Sequence, residues 1–170
     1  MQRLSTCPGW SWDNWMKDEK RSGLVPCNLH IHDLDFLVYA FGEPKSHTSF
    51  RSKSQEQDFL DVVYKFDGFF IETKASWYAA AYPFSAGFLF QFEDAVVAKD
   101  NSGFKVYERG GETIDFDEKA TGETGEINLP KSDAYSNEIA YFADCVKQNR
   151  PIGKIRPEEI TAVIDILNEL

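Results

Sequence analysis

The chain has 170 residues, 42% of them hydrophobic and 15% aromatic, which is enough to bury one core and predicts a single domain over residues 1–170. Its 18 basic and 28 acidic residues give a net charge of -10, which repels polyphosphate and anionic lipid. Neither nucleic acid nor a membrane is therefore an expected partner. Three cysteines without a CxxC indicate neither a disulfide framework nor structural zinc, and a cytoplasmic location is expected.

The beginning of the chain is predicted to be extended and then helical. Residues up to Gly9 are expected to be extended, and residues 10–20 to form a short helix. The pair Ser22-Gly23 then interrupts the chain before a second helix. That helix is expected to end at Gly42, because a glycine followed by Pro44 is a typical helix stop.

From residue 45 to about residue 116, short segments rich in β-branched and aromatic residues predict strands. The candidates are residues 47–52, 57–66, 69–76, 87–92, 95–99, 104–108 and 113–116. Asp67-Gly68 is a hairpin signal between the second and third candidates, and the glycines Gly103, Gly110 and Gly111 mark later turns. This succession predicts a mainly antiparallel sheet.

Two amphipathic helices are predicted after a polar loop at residues 120–130. Their apolar faces are formed by Ile139, Phe142, Ala143 and Val146, and by Ile160, Val163, Ile164 and Leu167. Pro157 followed by two glutamates is typical of a first helical turn. Helices on both sides of a run of strands predict the α+β class, with an open, mainly antiparallel sheet and helices packed on one face.

The second predicted helix carries a polar stripe. Asn28, His32, Asp35 and Tyr39 follow one another at spacings of four, three and four residues, which places them on one side of an α-helix. Most of the remaining positions are apolar, so the helix is expected to be buried on nearly every side. A buried helix with a single polar stripe is typical of a cleft wall.

Three uses of these residues remain open from the residue types. His30 and His32 form an HxH, but the glutamate of a cupin-like metal site is replaced by Phe36 or Leu37, so no metal site is expected. Alternatively, His32 acts as an acid or base near neutral pH. A third possibility is a non-catalytic domain whose aromatic sheet, with Trp77 among the aromatic residues, serves as an association surface.

At these positions the chain resembles the C-terminal domain of the Gfo/Idh/MocA oxidoreductase family, the relatives of glucose-fructose oxidoreductase and inositol dehydrogenase. The family pattern of a glycine pair, an aspartate, a histidine with HDxD, and GxP is matched by Ser22-Gly23, Asn28, His32-Asp33, Asp35 and Gly42-Glu43-Pro44. The segments WSWDNWMKDEKRSG, NEIAYFADCV and RPEEITAVIDIL are also similar to family segments. The resemblance thus covers nearly the whole chain.

The resemblance implies the substrate-binding and oligomerisation half of an NAD(P)-dependent dehydrogenase, with a glyceraldehyde-3-phosphate dehydrogenase-like C-terminal fold. His32 and Asn28 would be the catalytic residues, with His32 as the general base for a sugar or cyclitol hydroxyl. Asp35, Tyr39 and Trp77 would bind substrate, Asp35 alternatively orienting His32. The sheet would form a homo-oligomer.

Two departures from the family pattern accompany this resemblance. Leu24 replaces the second glycine, and Asn28 replaces an aspartate, so the charge that would support a protonated histidine is missing. None of the 11 glycines forms GxGxxG, so no Rossmann domain is predicted in this chain and NAD or NADP would belong to the full-length protein. The alternative is a stand-alone binding domain that kept the scaffold.

Overall fold

The computed structural model describes residues 1–116 and 134–170, which form one eight-stranded sheet with helices against it. The strands are β1 (Gln2–Thr6), β2 (Ser46–Lys53), β3 (Asp58–Lys65), β4 (Phe70–Tyr78), β5 (Ser85–Gln91), β6 (Ala95–Asp100), β7 (Gly103–Glu108) and β8 (Thr113–Asp115). Their order across the sheet is β2-β3-β4-β1-β5-β6-β7-β8. Neighbouring strands are antiparallel except β1 and β4, so the predicted α+β class with an open, mainly antiparallel sheet is confirmed.

All seven predicted strands are present, each within two residues of the expected bounds. The predicted hairpin at Asp67-Gly68 joins β3 to β4, where the Phe66 N–H donates to the Phe69 carbonyl over 2.9 Å. Gly68 has a φ of +80°, the left-handed conformation that glycine adopts without steric cost. The predicted loop at residues 120–130 lies outside the described residues.

The strand β1 was predicted as extended, but its place in the middle of the sheet was not. It runs parallel to β4, with Gln2 opposite Lys74, and antiparallel to β5, with Gln2 opposite Gly87. Its sequence QRLST contains one large apolar residue, Leu4, so it lacks the apolar alternation of an internal strand. The charge of Arg3 in this internal strand is paired with the Asp33 carboxylate of the helix above.

The helical elements are a 3-10 helix (Trp12–Lys17), α1 (Glu19–Ser22), a π-helical turn (Pro26–His30), α2 (Ile31–Phe41), α3 (Ala134–Lys147) and α4 (Pro157–Leu167). The single helix predicted at residues 10–20 is divided, because Asp18 between the 3-10 helix and α1 is extended. Within the 3-10 helix, Asp13 and Asn14 also have positive φ values of 55° and 49°. Within the described ranges, none of these helices is long and apolar enough to cross a bilayer.

The core lies between α2 and the strands β3 and β4. Leu34, Leu37 and Val38 of α2 are buried against the helix-facing residues of these strands. On β3 that face consists of Asp58, Leu60, Val62 and Tyr64. Helix α4 packs beside α2 and closes the core with Val163, Ile166 and Leu167.

Helix α3 has an apolar face that the described part of the molecule leaves exposed. The predicted face with Ile139, Phe142 and Val146 is present, but all three side chains are exposed, as is Tyr135. On α4, the predicted face is only partly buried, because the contact with α2 uses one side of it and leaves Ile160 and Ile164 exposed. Amphipathic periodicity was therefore a correct guide to helix but not to burial.

The two faces of the sheet differ in their cover. On the helix side, Phe36 of α2 stacks on Phe88 and Phe90 of β5, with ring centroids 5.9 and 6.2 Å apart. The pairing register places four exposed aromatic or aliphatic residues from four strands on the opposite face: Phe50, Phe70, Leu89 and Tyr107. We refer to this second surface as the open sheet face.

Candidate functional site

The polar stripe of α2 lies on the surface of the molecule. His32, Asp35 and Tyr39 are exposed, while Asp33 and Leu34 on the opposite side of the helix are buried. The expectation of a helix buried on nearly every side is therefore wrong. The reason is that α4 and the sheet cover one side of α2 only, and the described residues put no element over the stripe.

The side chains of His32 and Asp35 make no hydrogen bond to each other or to another described residue. Asp35 therefore does not orient the imidazole ring in this structure, and both groups are free to meet a ligand. An exposed imidazole without a hydrogen-bond partner in the described residues can contact a substrate hydroxyl.

Asn28 is separated from the rest of the stripe by its hydrogen bonds. Its Nδ2 donates to the carbonyls of Ser22 and Leu24, over 2.9 and 2.7 Å. It lies within the π-helical turn, whose hydrogen-bonded ring is one residue longer than that of an α-helix. The amide thus fixes the preceding loop.

The two departures from the family pattern meet in this loop. Leu24 has a φ of 55°, a left-handed conformation that is costly for a residue with a β-carbon. The Asn28 amide donates to the carbonyl of that same residue. A carboxylate has no proton to donate to two carbonyls, so an aspartate at position 28 would lose both hydrogen bonds.

Beneath α2, a buried pair of polar side chains occupies the side opposite His32. The His30 Nε2 lies 2.6 Å from the Tyr64 hydroxyl, and its Nδ1 has no hydrogen-bond partner among the described residues. Burial lowers the pKa of His30 to about 4 and raises the pKa of Tyr64. The pair is therefore neutral at pH 7.

His30 and His32 do not form a metal site, because one ring is buried and the other exposed. No group of three or more His, Cys, Asp and Glu side chains that could hold a metal comes together in residues 1–116 and 134–170. The HxH spacing would align two rings on a strand, but on a helix it turns them to different sides.

A second buried group links α2 to β1. The Arg3 guanidinium donates to Asp33 Oδ1 from Nε and Nη2, over 3.2 and 2.9 Å. Burial raises the pKa of Asp33, and the charge of Arg3 opposes that rise. Asp33 is the aspartate directly after His32, so the sequence motif contains it; the sequence did not indicate that it would point inward to β1.

A second buried carboxylate fixes the start of the π-helical turn. Asp58 of β3 accepts two hydrogen bonds from Arg51, at 2.9 and 2.8 Å, and one from the Val25 N–H at 3.0 Å. The hydrogen bond to Asp58 raises the pKa of Arg51. These contacts join the edge of the sheet to the loop that carries Leu24, and no sequence pattern pointed to Asp58.

Trp77 lies away from the stripe. Its side chain is 3% exposed and belongs to the core, and it forms part of the wall of a cavity of about 340 Å³ next to Leu24, Lys17 and Asp58. His32, Asp35 and Tyr39 do not line that cavity. The structure thus brings together His32, Asp35 and Tyr39 of the predicted site, and places Asn28 in the π-helical turn and Trp77 in the core.

A larger cavity, of about 1050 Å³, lies between the beginning of β4 and the end of β5. Like the smaller one, it lacks the glycine-rich strand, turn and helix that bind a dinucleotide pyrophosphate. In the described residues, β1 and β4 are the single parallel strand pair, so the sheet has no crevice of the Rossmann type. These residues do not fit NAD or NADP.

The fold is shared with solved oxidoreductases. UDP-N-acetylglucosamine 3-dehydrogenase GnnA from Acidithiobacillus ferrooxidans matches 99% of this chain with a TM-score of 0.71 and 21% identity. Biliverdin reductase from Synechocystis sp. PCC 6803, in complex with biliverdin and NADP+, matches 99% with a TM-score of 0.68 and 7% identity. The dehydrogenase MviM from Clostridium difficile matches 99% with a TM-score of 0.63 and 13% identity.

The chain spans about half of these solved proteins, namely 51%, 53% and 54% of their lengths. No protein-family model matches the sequence, and no curated protein sequence is significantly similar to it. The chain therefore has the fold of a domain that occurs in dehydrogenases and reductases, where it accounts for about half of the polypeptide.

Proposed function

We propose that this chain is the substrate-binding and oligomerisation domain of an NAD(P)-dependent dehydrogenase that acts on a sugar or cyclitol hydroxyl. The observation that carries the proposal is the exposed row of His32, Asp35 and Tyr39, on a fold that accounts for half of several dehydrogenases. A second domain would hold NAD or NADP, because the described residues do not fit a dinucleotide.

His32 is the proposed general base. Its ring is exposed and hydrogen-bonded to no described residue, so it can accept the proton of a substrate hydroxyl. Asp35, one turn along the helix, and Tyr39, one turn further, offer an acceptor and a hydroxyl to the other oxygens of a polyol. Asn28 supports this site indirectly by fixing the loop before the helix. Trp77 supports it through the core.

The exposed apolar face of α3 supports the presence of a second domain in the proposed protein. Tyr135, Ile139, Phe142 and Val146 recur along one side of this helix, and all are exposed. An apolar row of this length is costly in water and is typical of an interface. In the proposed protein, part of this surface packs against the cofactor domain.

The open sheet face is the proposed oligomer contact. Phe50, Phe70, Leu89 and Tyr107 come from four different strands, so exposed apolar side chains occur across the whole sheet, with polar ones such as Asp61 between them. We expect self-association at tens of micromolar, measured by light scattering, and replacement of Leu89 by aspartate to weaken it. Replacing the exposed Tyr39 of α2 by aspartate is the matched control. A monomeric mass of the unaltered chain contradicts the oligomer.

The reading frame upstream of the Met1 codon and an activity assay test the catalytic part. We expect a glycine-rich strand, turn and helix upstream, and NAD(P)-dependent oxidation of a sugar or cyclitol by the whole polypeptide. The variant His32→Gln is expected to lower kcat by about 100-fold or more, whereas Asp61→Asn on the open sheet face leaves it unchanged. Equal activity of the His32→Gln variant contradicts the assigned base.

Calorimetry of the 170-residue chain with NADH tests the assignment of the cofactor to another domain. No saturable binding is expected. Stoichiometric binding at micromolar concentration would place the cofactor on this chain and overturn that part of the proposal.

A further inference from the structure

The larger cavity is a gap in the sheet with the width of one strand. It is lined by Met1, by residues 68–72 at the beginning of β4, by residues 89–93 at the end of β5, and by Phe41 of α2. The strands β4 and β5 are both neighbours of β1, so two strand spacings, about 10 Å, separate them. Both continue past the point where β1 begins.

The pairing registers define the length of the gap. Gln2 lies opposite Lys74 on β4 and opposite Gly87 on β5. A strand that continued β1 upstream would therefore place its first three residues before Met1 opposite Glu72, Ile71 and Phe70 on one side. On the other side the same three residues would lie opposite Leu89, Phe90 and Gln91.

The polar backbone groups on both sides of the gap point into it. On β5, the Phe92 N–H donates to the Ala95 carbonyl. Alternation therefore directs the backbone N–H and C=O groups of Phe90 and Phe88 to β6, and those of Leu89 and Gln91 to the gap. On β4, the hydrogen bond from the Phe66 N–H to the Phe69 carbonyl fixes the same alternation. It directs the backbone N–H and C=O groups of Phe70 and Glu72 to the gap.

The β4 side already shows the pattern continuing. The Lys74 N–H donates to the Met1 carbonyl over 3.0 Å, and the Met1 nitrogen donates to the Glu72 carbonyl over 2.6 Å. The Glu72 N–H and the Phe70 carbonyl come next in this ladder. In the described residues neither β4 nor β5 has a strand partner on its gap side at these positions, although each is paired on its other side with β3 or β6.

The helix side of the gap is apolar. Phe41 packs edge-on against Phe90 with centroids 5.6 Å apart, and Ile71 is buried beside them. By the register, the second residue upstream of Met1 faces this side, and its neighbours in the strand face the open side. A strand with an apolar residue at that one position matches both the backbone and the side chains of the gap.

We propose that the gap is filled by a three-residue extension of β1, which belongs to the same polypeptide and leads from the cofactor domain. The proposal rests on the proposed function for the source of this strand. Its first residue before Met1 pairs with Leu89, its second with Glu72 and Phe70, and its third with Gln91. The extension makes the middle strand of the sheet as long as its neighbours.

Hydrogen exchange on three forms of the 170-residue chain tests this inference. One form is unextended, one carries Gly-Thr-Val-Thr before Met1, and one carries Gly-Thr-Pro-Thr, whose proline lacks the N–H and cannot join the ladder. The valine form is expected to slow exchange of the Glu72, Leu89 and Gln91 amides about tenfold or more, relative to both other forms. The Ile71 and Phe90 amides, already paired with other strands, serve as internal controls.

Equal exchange of the Glu72, Leu89 and Gln91 amides in all three forms overturns the inference. Protection that appears in the unextended chain and rises with protein concentration assigns the gap to a second copy instead, and also overturns it. Unchanged exchange of the Leu60 amide in the core shows that each form is folded. None of these measurements involves NADH or a sugar, so the strand and the proposed dehydrogenase activity can fail separately.

Discussion

The two halves of the sheet differ in how completely they bury their own apolar residues. In β3, every second residue is buried beneath α2 and α4. In the described strands β5 to β8, Gly103 alone is buried, and Phe88, Phe90 and Val97 are half-buried. The first half thus has a complete core, whereas the second depends on what else covers it. Both halves share hairpin connections and apolar content, so the difference comes from the placement of the helices.

The largest expected difference between the halves is the effect of truncating a leucine. Leu60 of β3 is 0% exposed and Leu89 of β5 is 66% exposed. We expect Leu60→Ala to lower the free energy of unfolding by about 2–5 kcal/mol, because it leaves a cavity in the core. Leu89→Ala is expected to change it by less than about 0.5 kcal/mol. Urea denaturation of both variants measures the difference, and similar losses would show that the second half is covered in solution.

The next contrast is between two aspartates of the same strand. Asp58 faces the helices, accepts three hydrogen bonds and is buried. Asp61 faces the other way, 4.0 Å from Lys74. Replacing Asp58 by asparagine is expected to cost about 2–3 kcal/mol, because it removes charge-assisted hydrogen bonds to Arg51 and Val25. For Asp61→Asn, denaturation is expected to show a change near zero, as for other exposed ion pairs.

The pH dependence of stability tests the burial of His30 beneath α2. Burial holds the pKa of His30 near 4, below the unfolded value of about 6.5. As pH falls from about 6.5 to 4, the unfolded state takes up a proton that the folded state excludes, so stability falls by up to about 1.4 kcal/mol per pH unit. Above this range His30 makes no pH-dependent contribution.

Denaturation curves of the unaltered chain and of His30→Gln, between pH 7 and 5, measure the loss of stability that His30 causes as the pH falls. The variant keeps Asp33, whose raised pKa acts in the opposite direction, so the difference between the two curves isolates His30. Parallel curves for His30→Gln and the unaltered chain would contradict a neutral buried His30.

The smallest expected effect concerns the loop before α2. Asn28→Asp replaces an amide that donates to two carbonyls by a carboxylate that cannot, and is expected to cost about 1 kcal/mol at pH 7. Asn101→Asp, in the turn between β6 and β7, is the control from the less covered half and is expected to be neutral. Thermal denaturation compares them. A stabilising Asn28→Asp would show that the Leu24 loop prefers the aspartate of the family pattern.

The sequence was sufficient to predict the local secondary structure. It was not sufficient to predict which faces of the helices and strands are buried. Seven strands and the turn at Asp67-Gly68 follow from residue types that act over a few neighbours. The place of β1 depends on pairing with Lys74 and Gly87, far along the chain, and QRLST carries no signal for it. For the same reason α3 was recognised as a helix from its periodicity, while the exposure of Ile139 and Phe142 depends on elements elsewhere.

The placement of the candidate site residues was predicted in part, and their roles stay predictions. The spacing of His32, Asp35 and Tyr39 correctly gave one helix face, because it depends on α-helical geometry alone. Asn28 is instead held by the carbonyls of Ser22 and Leu24 and lies in a π-helical turn, which no spacing rule anticipates. The buried partners Arg3, Tyr64 and Asp58 come from distant strands and were not predicted, although Asp33 stands within the HDxD motif itself.

The central position of β1 also constrains how the domain can fold. Its neighbours β4 and β5 lie at residues 70–78 and 85–91, so the middle of the sheet closes across more than 70 residues of chain. Until then, β2, β3 and β4 can form one local meander and β5 to β8 another, each with an exposed edge. Insertion of the five residues of β1 between β4 and β5 joins the two meanders. We expect this closing step to limit the folding rate, and the separate meanders to be the forms most liable to aggregate on the ribosome.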